Sequence, residues 1–352
     1  MRKVLLYIVF LFVFMHSCMH DDVKLNTYNT GSGVFVVCSG NFMYGNSSLS
    51  FYHPSTGDVN NEVFFNANGF PLGDVAQSLI LTDSLGYIVV NNSGRIYAFD
   101  PNSFIAKGKI IGLTSPRYIH LLNAEKAYVS DLYAKKIWVV NPINLSVIGS
   151  IDVDNHNNEF YQHSTEQMVQ YGKKVFVACW SFDNKLLVID TENDRLCDSI
   201  TVGLQPAKML IDRYHQIWVY CDGGSEGAPF GHESPSLYRV NSETLEAVKV
   251  FEFDTGVFGA AMCMNANGDT LFFTACDVYA IDVLSPTMPE QPFVEAGARN
   301  ITAIACDAAT GDFYMADAVD WMQQGIVYRY SRNAHPLDTF RVGINPVEIV
   351  FK

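Results

Sequence analysis

The sequence has 352 residues, 49% hydrophobic and 13% aromatic, and a formal net charge of −14. Phosphate recognition needs clustered Lys and Arg; here 23 basic residues stand against 37 carboxylates without forming a basic run, so nucleic acid is excluded as an expected partner. Length alone suggests two domains, but an internal repeat reduces the expectation to one.

Arg2 and Lys3 precede the apolar stretch Val4 to Met15, and Ser17-Cys18 follows. That is the layout of a secretory signal, whose apolar core of about 12 residues falls short of the roughly 20 that a spanning helix needs. The Ser17-Cys18 junction resembles a bacterial lipoprotein signal, in which the cysteine is acylated, although Met15-His16-Ser17 departs from the usual box. Asp21-Asp22 resembles the export tag of Bacteroidetes surface lipoproteins. The expectation is a signal over residues 1–17, a tether over 18–30 lipidated at Cys18, and one domain over 31–352. A cleaved signal with an incidental cysteine is the alternative.

From Phe35 onward one unit recurs seven times: an apolar strand, a polar turn, and a second apolar strand ending in Asp or Asn. The clearest copies run Tyr87 to Pro101, Tyr128 to Pro142 and Phe176 to Thr191; looser ones start at Phe35, Trp218, Phe272 and Tyr314. The residues that end the first strands align as Cys38, Asn91, Asp131, Cys179, Cys221, Ala275 and Asp317. Their spacing of about 46 residues suits four-stranded propeller blades.

A further strand-like run precedes most hairpins, often opened by a proline where no ladder donor is lost: Pro116 to His120, Gln167 to Val169, Pro206 to Leu210 and Asn300 to Ile304. The first copy, near Gly33, has none before it, and Pro346 to Phe351 at the end of the chain can supply it. The sequence therefore predicts an all-β, seven-bladed β-propeller of four-stranded antiparallel blades, closed by the C-terminal strand completing blade one. Closure removes the unpaired edges of so large a sheet. No segment reads as a helix.

In a propeller, the loop inside each middle hairpin and the loop to the next inner strand emerge on one face. The hairpin loops place there Phe42, Tyr44, Asn92, Tyr133, Trp180, Phe182, Asp222, Phe230, His232 and Trp321, with Met43 and Asn91 beside them. The interblade loops add Phe70, Arg117, His163, Gln205, Phe258 and Arg299. Exposed aromatics need something to cover, so a rim of them mixed with amides and a few charges suits a large, partly apolar ligand rich in amides or hydroxyls. Plugging of the ring, or packing between blades, is the competing use. Trp138 and Trp218 lie within strands and are expected in the core. The Gly- and Pro-rich stretch Asp222 to Pro235 is either a cover over this face or an inert insertion.

Beyond Cys18 there are seven cysteines, Cys38, Cys179, Cys197, Cys221, Cys263, Cys276 and Cys306, with no CxxC pair. An odd number without that spacing argues against a disulfide framework and a zinc site, so all seven are expected as small core residues. No HExxH, GxSxG, P-loop or GxGxxG motif stands in a supporting context. Asp131, Asp222 and Asp317 could ring a cation such as calcium, but the commoner use of such residues is to cap turns. No catalytic residue and no metal are expected. His163 and His232 are placed to hydrogen-bond a ligand or reach a ligand's metal centre.

The segments SGNF (39–42), NANGFPLGDVAQS (66–78), LTSPRYIH (113–120), CWSFDNKLLVIDTENDR (179–195), CDGGSEGAPFG (221–231) and YMADAVDWMQQGIVYRY (314–330) resemble the YncE-like propeller lipoproteins of Bacteroidetes, among them the BtuG-type cobalamin binders. The resemblance covers nearly the whole chain after Cys18. It implies a non-enzymatic lipoprotein on the outer-membrane surface. Such a protein would bind cobalamin or another corrinoid on the loop face, as cargo and not as cofactor, and pass it to a TonB-dependent transporter of the BtuB type. Blade six departs from the pattern, its hairpin Thr274 to Asp277 being very short. An envelope adhesin for glycan or protein, and a propeller lyase or quinoprotein-like enzyme, are the alternatives.

Overall fold

Short apolar strands separated by turn-forming residues give seven antiparallel sheets arranged as the blades of a closed propeller, in a computed structural model that describes residues 25–254 and 261–352. Cys18, the signal and Phe258 lie outside the described residues. From the axis outward, blade one consists of Pro346–Phe351, Val34–Cys38, Ser48–Tyr52 and Val59–Asn60. The last strand of the chain thus pairs with the first, Ile349 opposite Val36 and Val350 opposite Phe35. The ring closes where the sequence places the closure.

The inner strands of blades two to seven are Ala76–Leu81, Pro116–Asn123, Thr165–Tyr171, Pro206–Ile211, Met262–Met264 and Ile301–Cys306. Blade six has three described strands instead of four, and its outer position is marked by the single bridge Val278↔Val294. The second strand of each blade is flanked by neighbouring blades on both faces and is buried at nearly every position, as in Val34–Cys38 and Gly86–Val90. Outermost strands meet solvent, and Arg195–Thr201 buries only Ile200. The core is a series of wedges between blades. In the first, Phe35 meets Phe51 at 4.8 Å, Phe99 at 6.0 Å and Phe104 at 5.7 Å. Each such ring contributes roughly 1.5–3 kcal/mol by leaving water.

The Asp or Asn that ends the repeat in blades two to six has a structural cause. Its side chain accepts the N–H groups of the following turn: Asp100 from Asn102, Asn141 from Ile143 and Asn144, Asp190 from Glu192, Asn241 from Glu243 and Thr244, Asp282 from Leu284. The signature thus marks the turn at which the third strand gives way to the fourth.

Three expectations need correction. A short helix, Val63–Asn68, lies in the connection from blade one to blade two. Six residues are too few to display a 3.6-residue period; this helix is held by burial of Val63, Phe64 and Ala67 and closed by Gly69, whose N–H bonds Phe65 O at a φ of 74°. Second, Cys38, Cys179, Cys221 and Cys263 are core residues, but Cys197 and Cys276 are exposed and Cys306 is half-buried. Cys197 lies on the solvated outer strand of blade four, and Cys276 forms the tip of the tight blade-six hairpin, with φ of 65°. Third, Trp218 is fully buried but Trp138 is only half-buried, its indole N–H bonded to Asp131 at 3.0 Å. Among the described residues no helix is long and apolar enough to cross a membrane.

Candidate functional site

All seven middle hairpins open on the same side of the ring, and the Asp residues that anchor their loops are fully employed. Asp131 accepts from the N–H groups of Thr114, Ser115, Tyr133 and Ala134 besides the Trp138 indole. Asp317 binds the N–H groups of Asn300 and Val319. Asp222 takes the Trp180 indole at 2.9 Å, the Gln205 amide at 2.7 Å and Gly224 N–H at 2.9 Å. Asp131 and Asp317 close loops at their own blades and Asp222 ties blade five to blade four; among the described residues the three do not come together as a cation site.

Blades three to five carry a connected polar chain. The Arg117 guanidinium grips Glu166 through two bonds of 2.5 and 2.9 Å, and both side chains are largely buried, with 13% and 4% exposure. The same guanidinium stands 5.6 Å from the Trp180 ring. Trp180 leads to Asp222, and Asp222 to Gln205. Outside this chain Phe182 contacts Phe230 at 4.5 Å, with Phe160 5.8 Å and 5.7 Å from them. The Tyr161 hydroxyl donates to Phe230 O at 3.0 Å, which pins the 222–235 loop down against blade four. Gly224 lies under the Phe230 ring, where an added Cβ would come within 2.9 Å of it. His232 of this loop is exposed.

His163 also belongs to this sector. Its Nδ1 is 3.1 Å from Asp183, and its Nε2 is 3.4 Å from the Asn155 amide. Asp183 is fully buried; it occupies, four residues late, the role that Asp131 plays in blade three, accepting N–H bonds from His163 and Asn184. His163, Cys179 and Asp183 are the group among the described residues that could hold a metal ion, with ligand atoms within 4.8 Å of one another. The donor set fits a cation poorly. Asp183 is already occupied, and burial, with Asp183 adding to it, pushes the Cys179 thiol well above its ordinary range, so the thiolate a metal needs is disfavoured.

Blades seven and one present a different surface. Phe42, Met43 and Tyr44 are 63%, 78% and 74% exposed, and Trp321 and Met322 are 48% and 62% exposed. Asn41 ties the two loops together by donating to Trp321 O at 2.6 Å. The Met43 N–H is held by Asp74, which also takes the Asn92 amide. Phe70, at the outer flank, leans on Phe64 at 5.6 Å. Beside it a cavity of about 230 Å³ opens between Gly45–Leu49 and the short helix, lined by Leu49, Phe64, Leu72, Asn46 and Glu62. Tyr133 of blade three is 66% exposed. Arg299 is turned aside, stacked on Tyr328 at 4.4 Å and bonded to the carbonyls of Glu295 and Ala296.

The sequence-predicted set thus divides. Arg117, Trp180, Gln205, Asp222, Phe182 and Phe230 come together with His163; Phe42, Tyr44 and Trp321 form a second group, with Asn92 and Phe70 on its flank; Tyr133 and His232 stand free, and Arg299 serves blade seven. Sequence reasoning missed Glu166, Phe160 and Asp183. A signal existed for Asp183: where Cys179 replaces the strand-ending Asp, the loop still needs an acceptor, and Asp183 is the next one available.

Residues 32–331 match the family described as a domain of unknown function, DUF5074, and the chain belongs to that family. No curated protein matches the sequence. Among solved structures, the chain resembles a quinonprotein alcohol dehydrogenase-like protein from Bacteroides thetaiotaomicron, at TM-score 0.70 and 14% identity over 92% of this chain and 79% of that one. A periplasmic gluconolactonase from Pseudomonas aeruginosa follows at TM-score 0.65 and 12% identity, over 91% and 99%. A protein from Lactobacillus plantarum gives 0.66 and 10%, over 92% and 100%. At such identities the likeness is one of fold.

Proposed function

We propose that this DUF5074 member is a binding protein of the YncE-like, BtuG type. In this reading it is anchored through Cys18 on the outer-membrane surface, takes a corrinoid such as cobalamin on its loop face, and hands it to a TonB-dependent transporter of the BtuB type. The observation that carries the reading is the exposed apolar rim of Phe42, Met43, Tyr44, Tyr133, Trp321 and Met322 beside an ordered polar sector. Large apolar side chains standing free on ordered loops are costly unless a ligand covers them, and aromatic residues lose little entropy on binding. A macrocycle fringed with amides presents apolar faces to such a rim and hydrogen-bonding edges to Asn92, Gln205 and Asp222. Under this reading the fixed polar chain orients the ligand and the rim supplies contact area.

One observation favours a second, enzymatic reading. Asp183 fixes the orientation of the His163 ring through Nδ1, as a carboxylate does beside a general base, and the gluconolactonase from Pseudomonas aeruginosa has the same fold. The two readings separate in one experiment on purified residues 19–352. Cyanocobalamin titrated into the protein should bind saturably and be recovered unchanged. No heat and no spectral shift at about 100 μM ligand contradicts the binding reading.

A further inference from the structure

The inner strands carry charge to the axis of the ring. Lys208 on blade five and Glu348 on blade one lie inside the circle of inner strands, yet each keeps part of its surface open. The axial space between the inner strands is therefore polar and partly open to solvent at these two side chains. Beside it Arg117 and Glu166 neutralise each other at 2.5 Å. Lys208 has no such partner: among the described residues no carboxylate lies within ion-pair distance of it, and its ammonium bonds only the Tyr118 hydroxyl, at 3.2 Å. It stands 5.8 Å from the centre of that same ring.

An ammonium carries three N–H donors, and here one is used. The Tyr118 hydroxyl accepts that bond, so its own hydrogen is free to point elsewhere. Two adjacent donors, one of them charged and only partly exposed, match the two oxygens of a carboxylate. Glu348 does not fill this role, because its carboxylate is engaged with the N–H of Leu79 on the inner strand of the adjoining blade two, at 2.5 Å.

We propose that Lys208 and Tyr118 form an anion site in the axial space that takes a small free carboxylate, and that the charge of Glu348 opposes its occupancy. The site depends neither on the identity of a ligand on the loop face nor on whether one binds there.

The charges around the site give it a pH dependence. Burial raises the Glu348 carboxyl to about 7, against the pull of Lys208 and the Leu79 N–H. Burial lowers Lys208, but Tyr118 and Glu348 outweigh it and leave the ammonium raised above its ordinary value, so it stays charged. The other titratable groups along the inner strands change little between pH 6 and 8. Arg117 and Glu166 are paired, burial holds His120 toward its neutral form, and the thiols of Cys263 and Cys306 are pushed up by burial. Protonation of Glu348 therefore leaves Lys208 as the uncompensated charge. If binding needs the neutral carboxyl, affinity for an anion that stays ionised should fall about tenfold from pH 6 to pH 8, the ratio of protonated fractions around a midpoint of 7.

The test uses acetate as probe, followed by carbon-13 relaxation of labelled acetate in the presence of the protein. Wild type should bind about tenfold more tightly at pH 6 than at pH 8. Glu348→Gln should bind at pH 8 as wild type does at pH 6, with no pH dependence, and Lys208→Met should lose binding at both. Tyr118→Phe, which keeps the ring and removes the second donor, should weaken binding severalfold. If Lys208→Met fails to fold, the first two comparisons decide. Acetate binding by Lys208→Met equal to wild type, a Glu348→Gln protein that keeps the full pH dependence, or no binding by wild type at pH 6 overturns the proposal.

Discussion

The two halves of the loop face have similar aromatic content and opposite construction. On blades three to five Trp180 is bonded through its indole, Phe230 is 9% exposed, and Arg117 is locked to Glu166. On blades seven and one Tyr44 and Met43 are 74% and 78% exposed, held only through the backbone of their loops. The difference teaches that an aromatic residue on a propeller loop can serve either the scaffold or a ligand, and that a bonded polar partner tells the two apart. Most residues of the first half support the loops and aim a few polar atoms, with Tyr133 and Phe182 as its exposed exceptions; those of the second offer free surface.

If that division is right, substitutions in the two halves should separate stability from binding. The largest effect belongs to Glu166→Ala, which strands a buried guanidinium and should cost about 3–5 kcal/mol of unfolding free energy, read by chemical denaturation. A loss under about 1 kcal/mol would break the comparison, because the locked half would then not be a scaffold. Between the halves lies the axial space, and here pH is the lever. The folded-state value for Glu348 is raised to about 7 from 4.5, so the folded protein holds a proton that the unfolded chain releases. Its contribution to stability is present below the unfolded value and is lost as pH rises through about 7, by about 3 kcal/mol at most. Denaturation midpoints of Glu348→Gln should lack that decline between pH 5 and 8.

Smaller effects sharpen the picture. Trp180→Phe keeps the ring and leaves Asp222 one donor short, and should cost about 1–2 kcal/mol. Tyr44→Ala, on the open half, should change stability by no more than about 0.5 kcal/mol while weakening ligand binding about tenfold, the equivalent of about 1.4 kcal/mol. Equal losses of stability and binding in Tyr44→Ala would place that residue with the scaffold.

Much of the fold was legible because the repeat encodes it. A strand-ending Asp or Asn caps a turn in five of the seven blades, and the missing inner strand of blade one pointed to Pro346 to Phe351. The helix Val63–Asn68 was not legible, since its six residues are set by burial of Phe64 and not by any pattern of their own. The site was legible as a set of loops but not as two groups. Period and spacing place Trp180 and Tyr44 on the same face, and only the location of Asp222 distinguishes them. Arg299 shows the same limit, for its stacking on Tyr328 depends on a neighbouring strand. Glu166, Lys208 and Glu348 escaped notice because inner strands look like ordinary core in sequence; seven of them must converge before a charge on one meets the others.

The central claim is that the loop face binds a corrinoid and that its open half supplies the contact area. Calorimetric titration of cyanocobalamin into wild type and into the double variant Tyr44→Ala/Trp321→Ala tests it most directly. The account predicts saturable binding by wild type and a loss of about 100-fold in the variant, at an unfolding free energy within about 1 kcal/mol of wild type. Wild type that takes up no cyanocobalamin, or a stable double variant that binds as tightly as wild type, contradicts it.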